Sequence, residues 1–488
     1  MSDELPPKEE FSEWYNELLF QAEIMDVRYP AKGVYVWFPF GQQLRNHVYD
    51  ELTGRLDDTG HDEVDFPVLI PEAILAQEGE HIAGFEDEVF WVTHAGRREL
   101  DERLALRPTS ETPMYTMFDL WIRSHTDLPL SVYQVVDIWR AETEHTRPLI
   151  RLREITGFKE AHTVHASYDA AERQVAQALD LYGDFYDWLG VPHLAVRRPE
   201  WDKFPGADDT YAVDTLMPDG KALQVGTAHN LGQNFSEAFD VAFENEDGEQ
   251  EYAYQTSYGV SERCIAAVMS VHGDDNGLVL PHETAPTQVV IVPVLFGDDD
   301  ENAEIMEVCE QIEADLDDAG YRVELDDSDQ SPGAKYYEWE LQGTPLRVEV
   351  GPRDLESGTA VLNDRLGNES EAPFEAIEDG VAEALEDCTA TIREEAQAGF
   401  EDRVRRCDDY GDAEDWVGEG FVAAGWCGEE ECGLAMEDAL GVDLLGEPVE
   451  VDTGAEAVED AIQVGSDDSA PCLECGSDGD VVYLAKTY

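Results

Sequence analysis

Residues 139–159 read WRAETEHTRPLIRLREITGFK. The 488-residue chain carries only 31 Lys and Arg, so a window of this length would hold about one at the average density. This one holds five: Arg140, Arg147, Arg151, Arg153 and Lys159. In DIWRAE and LIRLREI, alternation at period two places Arg140 and Glu142 on one face of a strand, and Arg151 and Arg153 on one face of a second. The polar TEHTRP between them reads as a short loop. An antiparallel hairpin with one cationic face is expected, in a chain whose formal charge is −79. Such a face either pairs with neighbouring carboxylates or is built for an anionic ligand.

The 110 acidic side chains are spread along the whole chain and interleaved with apolar periodicity. A disordered acidic tail would lack aromatics and β-branched residues. Hydrophobic residues make up 42% here, enough to fill the cores of several domains. Pervasive Asp and Glu with little Lys suit a folded protein working in concentrated salt, where the Debye length shrinks to about 3 Å at 1 M and self-repulsion is screened. An acidic mimic of nucleic acid is the competing reading. No apolar run approaches the ~18 residues of a membrane span; the longest, around 289–296, suits a buried strand. MSDELPPKEE has neither the cationic nor the apolar region of a secretory leader, so a cytoplasmic protein is expected. Eight cysteines in such a chain do not imply a disulfide framework.

Outward from the arginines, FSEWYNELLFQAEIM (11–25) reads as an amphipathic helix and VYVWFPFG (34–41) as a strand ending in a turn. From Gln42, Leu44, Val48, Leu52 and Leu56 recur every four residues, a helix stopped at Gly60. VDFPVLIPE (64–72) reads as a strand broken by Pro71. ALQVGTAHNLGQNFS (222–236) alternates and then turns polar, like a strand feeding a cleft. In TSYGVSERCIAAVMSVHGDDNGLVLP (256–281) a glycine turn and a capping Ser261 precede an apolar helix from Glu262. Arg263 falls in its first turn, where the helix dipole disfavours a cation unless an anion lies nearby. APTQVVIVPVLFG (285–297) opens a new βα pattern, with a helix at 302–319 and strands near 321–325 and 346–350. Past Arg406 the only Lys or Arg is Lys486, while four cysteines fall between 427 and 475, marking a third domain.

The G-x-x-x-x-G-K-[ST] phosphate loop, G-x-G-x-x-G and G-x-S-x-G are all absent. His162 and His165 are separated by an odd number on an extended strand, so they point to opposite faces and do not share a metal. The arginine hairpin, the helix-borne Arg263 and RPTSE (107–111) remain. Those parts suit gripping a polyphosphate and stabilising charge on phosphorus without covalent catalysis.

Together these segments resemble the class II prolyl-tRNA synthetases of the archaeal and eukaryotic cytosolic type, over nearly the whole chain. VDFPVLIPE is similar to the dimer-forming motif 1, RPTSE to the proline-pocket T-x-E element, WRAETEHTRPLIRLREITGFKEAHT to motif 2, and 256–281 to motif 3. The last two are long and specific; RPTSE is shared with threonyl- and seryl-type relatives. Only 93 residues separate His162 from Thr256, so the large editing insertion of bacterial relatives is absent. The resemblance implies an α+β catalytic domain on an antiparallel sheet (1–283), an α/β anticodon-binding domain (284–390) and a small α/β zinc-containing C-terminal domain (391–488). It also implies a homodimer whose ligands are L-proline, ATP with Mg²⁺, and tRNA(Pro), with no membrane and no DNA.

By the same resemblance, Arg140 bridges the substrate carboxylate and the ATP α-phosphate, its planar fork suiting paired oxygens. Glu142 and Arg151 hold adenine and phosphate, Arg263 meets the terminal phosphates, and Gln224 and Thr227 face ATP. Glu111 binds the proline ammonium beside Thr109, while Phe158, Glu160, His162, His229, Ser257 and Gly259 line the ring pocket. For His229 and Phe158 ordinary packing is the alternative. Glu340, Arg347 and Arg353 are expected at the anticodon, with surface ion pairing as the alternative. Phosphate contacts weaken as salt rises, so that interface should rely on base edges and shape. A synthetase for threonine or glycine, and a tRNA-binding paralogue without catalysis, are the rival functions; retention of Arg140 and Arg263 speaks against the second.

Cys427, Cys432, Cys472 and Cys475 form C-x₄-C and C-x₂-C pairs of the kind that build a closed thiolate zinc site, against free thiols. The chain finishes VVYLAKTY, apolar and aromatic where an end normally frays. Val481, Tyr483 and Ala485 alternate as in a strand, so the tail is expected to dock. In similar synthetases a final tyrosine's carboxylate reaches the catalytic domain, so Tyr488 helps order the active site unless it packs only on its own domain.

Overall fold

A computed structural model describes residues 5–77, 89–142, 146–296, 299–453, 461–465 and 469–488. The catalytic body is an antiparallel sheet with helices on one face. Its helices are α1 (Phe11–Gln21), α2 (Pro39–Asp58), α3 (Glu111–Trp121), α4 (Tyr168–Trp188) and α5 (Arg263–His272). Its principal strands are β1 (Leu130–Trp139), β2 (Glu154–His165), β3 (Leu194–Arg197), β4 (Asp209–Leu216), β5 (Ala222–Gly232) and β6 (Tyr254–Val260). In space they run β3-β4-β5-β6-β2-β1. Buried aromatics of α1, α2 and α4 (Trp14, Tyr15, Tyr49, Tyr182, Phe185, Tyr186) and the apolar run of α5 fill the core behind the sheet. The other face is left for a cleft.

The expected hairpin is present as β1 and β2, antiparallel, with Trp139 opposite Glu154 and Val136 opposite Phe158. Its arginines are not on the strands. β1 stops at Trp139 and β2 starts at Glu154, so Arg140, Glu142, Arg151 and Arg153 belong to the connection. Arg140 N donates to Arg153 O at 2.9 Å, and Arg153 N donates to Gly33 O at 2.9 Å instead of continuing the ladder. Pro148 has no N–H to give, and Leu149 takes φ 61°, which breaks the extended run. Thr143, Glu144 and His145 of the expected loop lie outside the described residues.

Three other elements differ in extent. The stretch 34–41 is extended only at Val36–Trp37, because Pro39 pre-sets helical φ at N1 and starts α2 early. The first helix ends at Gln21, and Met25–Asp26 pairs with Val36–Trp37. Of 64–72 only Leu69–Pro71 forms a strand, paired with Arg98–Leu106. Gly259 lies within β6, not in a turn.

The second unit is a five-stranded mixed sheet. β7 (Val289–Pro293) lies parallel to β8 (Leu346–Val350) and to Val323–Leu325. Helices Asp299–Asp318, α6 (Pro332–Leu341) and Ile377–Glu401 accompany it, and the first and last share a core with the β7 and β8 valines. The expected boundary at residue 390 falls inside the last helix.

The C-terminal unit is not a detached module. Its β9 (Asp443–Val451) pairs with the catalytic β3, Glu447 opposite Arg197 and Pro448 opposite Val196. Arg197 and Glu447 form an ion pair at 2.6 Å, and Arg198 Nη1 donates to Leu445 O at 2.8 Å. β10 (Asp478–Ala485) lies on the far side of β9, so one 13-stranded sheet runs through both units. Among the described residues no helix is long and apolar enough to cross a membrane.

Candidate active site

Strand register builds the site. His162 pairs with Ser257, Ser257 with His229, and His229 with Thr210, making one cross-sheet row. Glu160, Gly259 and Thr227 make the next. With side chains alternating along each strand, both rows present to the same side, above which lies a cleft of about 700 Å³.

One end is small, buried and polar. Ser110 and Glu111 start α3, and Glu111 is only 4% exposed. Its carboxylate accepts from Thr109 Oγ1 and, at 3.3 Å, from Ser257 Oγ. Behind it Glu160 accepts from Ser110 Oγ and from Gln134 Nε2, the latter at 2.9 Å. Burial alone would push Glu160 up, but His162, Ser110 and Gln134 together hold its carboxyl below the ordinary range. His162 Nε2 stands 3.7 Å from Glu160 Oε2, beyond hydrogen-bond distance, and Nδ1 meets Tyr115 Oη at 3.0 Å. His229 is pushed down to about 3 by burial and by His162, so it is neutral, with Nδ1 3.0 Å from Thr210 Oγ1. A Cβ on residue 259 would meet Phe158 Cζ at 3.0 Å, so Gly259 makes room for that ring.

The other end is cationic. Arg263 Nε donates to Ile150 O and Nη1 to Gln224 O, both at 3.0 Å. The helix starts one residue later than expected, with Glu262 and not Ser261 at the N-cap position; Ser261 Oγ still accepts from Arg263 N at 3.4 Å. Burial, then the nearby Arg140 and Arg151, lower Arg263 to about 10. The three guanidinium groups therefore repel one another, a cost that an anion between them would relieve. Arg140 Nε donates to Pro108 O at 3.3 Å, next to the buried end, and Arg151 Nε lies 3.7 Å from Glu142 Oε2.

Of the expected set, Thr109, Glu111, Arg140, Glu142, Arg151, Phe158, Glu160, Gln224, Thr227, His229, Ser257, Gly259 and Arg263 all line this cleft. His162 does not; it is fully buried behind Glu160 and acts on the wall rather than forming it. The sequence reading missed Lys203, Phe204, Thr210 and the Arg198–Asp214 pair, which also line it. Phe204 packs on His229 with ring centroids 4.7 Å apart. Apart from Asp214, the missed residues fall in RRPEWDKFPGADDT (197–210), which has no periodicity to flag it. Tyr488 reaches the same cleft: its ring lies 5.2 Å from the Arg147 guanidinium and 4.8 Å from Lys221 Nζ, and its hydroxyl donates to Asp219.

A second, small pocket of about 140 Å³ in the five-stranded unit is lined by Trp339, Glu340, Thr344, Arg347 and Asn363. Glu340 and Arg347 are thus brought together, while Arg353 is exposed on the short helix Pro352–Ser357, away from them. Arg347 lies 4.0 Å from the Tyr336 ring and 2.8 Å from Glu349, so it is held in place from both sides. In the C-terminal unit, the sulfurs of Cys427, Cys432, Cys472 and Cys475 all lie within 4.8 Å of one another, with Cys427 and Cys475 3.7 Å apart. Four thiolates around a zinc at about 2.3 Å would stand roughly 3.8 Å apart, so the donor set fits.

Comparison with known proteins follows the same division. Residues 90–272 match the tRNA synthetase class II core domain (G, H, P, S and T), 288–384 an anticodon binding domain, and 410–488 the prolyl-tRNA synthetase C-terminal family. A proline–tRNA ligase of Methanopyrus kandleri is 53% identical, over 98% of this chain and 96% of its own. One from Methanococcoides burtonii is 52% identical, over 99% and 98%. The structure of Giardia lamblia prolyl-tRNA synthetase in complex with prolyl-adenylate superposes with a TM-score of 0.92 at 34% identity, covering 99% of both chains. The chain belongs to the prolyl-tRNA synthetases, the class II, ATP-dependent proline–tRNA ligases.

Proposed function

We propose that the cleft activates L-proline with ATP and passes it to the 3′ end of tRNA(Pro), with roles divided by the two ends. Glu111, with Thr109 and Ser257 on its carboxylate, takes the proline ammonium, and Phe158, Glu160, His229 and Gly259 enclose the ring, with His162 bracing Glu160. A neutral His229 keeps a second cation out of the ammonium pocket. Arg140 stands between the ends, where it holds the proline carboxylate against the α-phosphate. Arg263 takes the terminal phosphates, Arg151 and Glu142 the nucleotide, and Gln224 and Thr227 the side facing ATP.

A carboxylate oxygen attacks the α-phosphorus in line as the bond to the β-phosphate breaks, giving prolyl-adenylate and pyrophosphate. The terminal ribose hydroxyl of the tRNA then attacks the prolyl carbonyl and releases AMP. Positioning and preorganised charge supply the catalysis, and no side chain needs to take a proton. Mg²⁺ accompanies ATP and adds charge neutralisation on its phosphates.

The observation that carries the reading is the crowding of Arg140, Arg151 and Arg263 in the cleft that also holds a buried carboxylate, Glu111, at its far end. The test is amino-acid-dependent pyrophosphate exchange with all twenty amino acids in high salt. Proline should dominate. Exchange driven better by threonine or glycine, or by none, would remove the assignment.

Glu340 and Arg347, in one pocket with Trp339, are proposed to read an anticodon base; Arg353 would contribute from outside that pocket. Cys427, Cys432, Cys472 and Cys475 would hold a structural zinc. A homodimer through the motif 1 segment is supported by Trp121, 45% exposed and packed on Phe66 at 5.7 Å, beside exposed Leu120, Val68 and Leu69. The charge of −79 supports work in concentrated salt in the cytoplasm. The domains are taken as 1–283, 284–390 and 391–488, the second boundary shifting beyond helix Ile377–Glu401 if that helix is kept whole.

A further inference from the structure

One arginine links the small pocket to the turn that follows α5, the helix that begins with Arg263. Arg365 stands at the pocket's edge and its side chain, 2% exposed, runs toward the catalytic body. Nη1 and Nη2 donate to the two oxygens of Asp274 at 3.0 and 2.7 Å. Nε is shared between Leu278 O at 2.8 Å and Glu340 O at 3.0 Å. The planar fork is thus used on three groups at once, which an ammonium could not match.

Asp274 is the second residue past α5, the helix that begins with Arg263. Its carboxylate also accepts from the backbone N–H of Asn276 at 2.9 Å and of Gly277 at 3.1 Å, and its carbonyl accepts from Trp14 Nε1 at 2.9 Å. On the pocket side Leu278 N donates to Leu341 O at 3.0 Å. A Cβ on Gly277 would come within 2.5 Å of Leu341 Cα. The turn after α5 therefore lies backbone to backbone against the end of α6, the helix that carries Trp339 and Glu340. Ten residues of α-helix span roughly 15 Å, so this turn and Arg263 stand at the two ends of one short helix.

Resting on the reading that the chain charges tRNA(Pro), we propose that Arg365, through Asp274, is a positioning residue that transmits filling of the Glu340–Arg347 pocket to Arg263 at the ATP cleft. A base seated beside Glu340 bears on a backbone carbonyl that shares Arg365 Nε with Leu278. A change in that bond shifts the Asp274 turn and, with it, α5. Displacement of Arg263 by a fraction of an ångström is enough to alter the rate of a step that depends on alignment.

The test compares full-length tRNA(Pro) with a minihelix containing only its acceptor stem, on dimeric, metal-loaded wild type, Arg365→Lys, Asp274→Asn and the double variant. Asp274→Asn retains acceptors for the turn's own N–H groups, and melting temperatures establish that each protein is folded. In wild type, kcat for charging should be about tenfold higher with the full tRNA, within the 5–150-fold usual for coupled sites. In each variant that ratio should collapse toward one while KM for full tRNA stays within about twofold. The double variant should be no worse than either single, because both break the same link. Asp274→Asn should leave tRNA-free pyrophosphate exchange within about twofold of wild type. The proposal is overturned if the wild-type rate does not depend on the anticodon arm or the ratio survives in the variants. It is equally overturned if the two losses multiply, or if tRNA-free exchange falls as far as charging does. A wild type without proline-dependent exchange fails the functional reading instead, and is seen before any variant is made.

Discussion

Arg140 and Arg263 illustrate how much one residue type can say and where it stops. Their scarcity in an acidic chain made them legible, and they do meet in the cleft, with Arg151 beside them. Replacing either with Ala should lower proline-dependent exchange by about 10²–10³-fold, the cost of removing one preorganised charge contact, with the fold intact by circular dichroism. Activity within tenfold of wild type in both would leave the charge assignment without support. The wall around Glu160 was less legible. Its partners Ser110 and Gln134 lie on α3 and β1, far apart in the chain, and only register brings them together. A second residue-scale consequence concerns acid. His61, His165 and His272 are lowered from 6.5 to about 4 and His229 to about 3, each chiefly by burial. Folded pKa values below the unfolded one mean stability that is full above about 6.5 and lost as pH falls toward 4. With four protons taken up only on unfolding, the slope approaches roughly 5 kcal/mol per pH unit between pH 6 and 5 as an upper limit. Chemical denaturation across that range should show it; a flat profile would mean that these rings are charged when folded.

At the scale of elements, the chain announced most of its regular structure and few of its boundaries. The strand at 346–350 is present with those limits, because alternating Leu, Val and Val are buried between helices while Arg347 and Glu349 point outward. The helix expected at 302–319 extends over Asp299–Asp318. The hairpin is present where alternation predicts it, yet its strands end before they reach the charged residues. Alternation of polar and apolar residues persists in 149–153, but a proline and a positive φ interrupt the ladder there, and period alone cannot show that. The tail docks on more than its own unit. Ala222 N donates to Lys486 O at 2.8 Å, Thr487 bridges to Ala222, and Tyr488 packs between Arg147 and Lys221. Deleting Thr487 and Tyr488 should raise KM for ATP or proline several-fold while the melting temperature changes by no more than a degree or two. Unaltered kinetics would confine the tail to packing.

For the whole molecule, charge and sheet continuity decide behaviour. With a formal charge of −79, the compact state pays a repulsion that grows as the Debye length lengthens from about 3 Å at 1 M to about 10 Å at 0.1 M. The melting temperature should therefore rise steeply between low and multimolar KCl, and a curve independent of salt would refute the halophilic reading. Zinc should matter beyond its own neighbourhood. Refolded protein should contain about one zinc per chain, and Cys472→Ser, at the buried member of the four, should lose it. Because β9 and β10 continue the catalytic sheet, that loss should also weaken exchange; full exchange in a metal-free variant would separate the two units.

The join between β3 and β9 has one more consequence, for the chain as it is made. A strand whose outer side is unpaired offers a row of backbone donors and acceptors to any other strand that comes near. Among the described residues, the strand that pairs with the outer edge of β3 is β9, which leaves the ribosome about 250 residues after it. Until β9 arrives, each nascent chain presents β3 as an open edge, and neighbouring copies on one message present the same edge to each other. Truncation upstream of β9 should accordingly yield aggregates before it yields a soluble but inactive enzyme. Dense surface charge works against that association too, since two like-charged edges must approach within a few ångströms to pair.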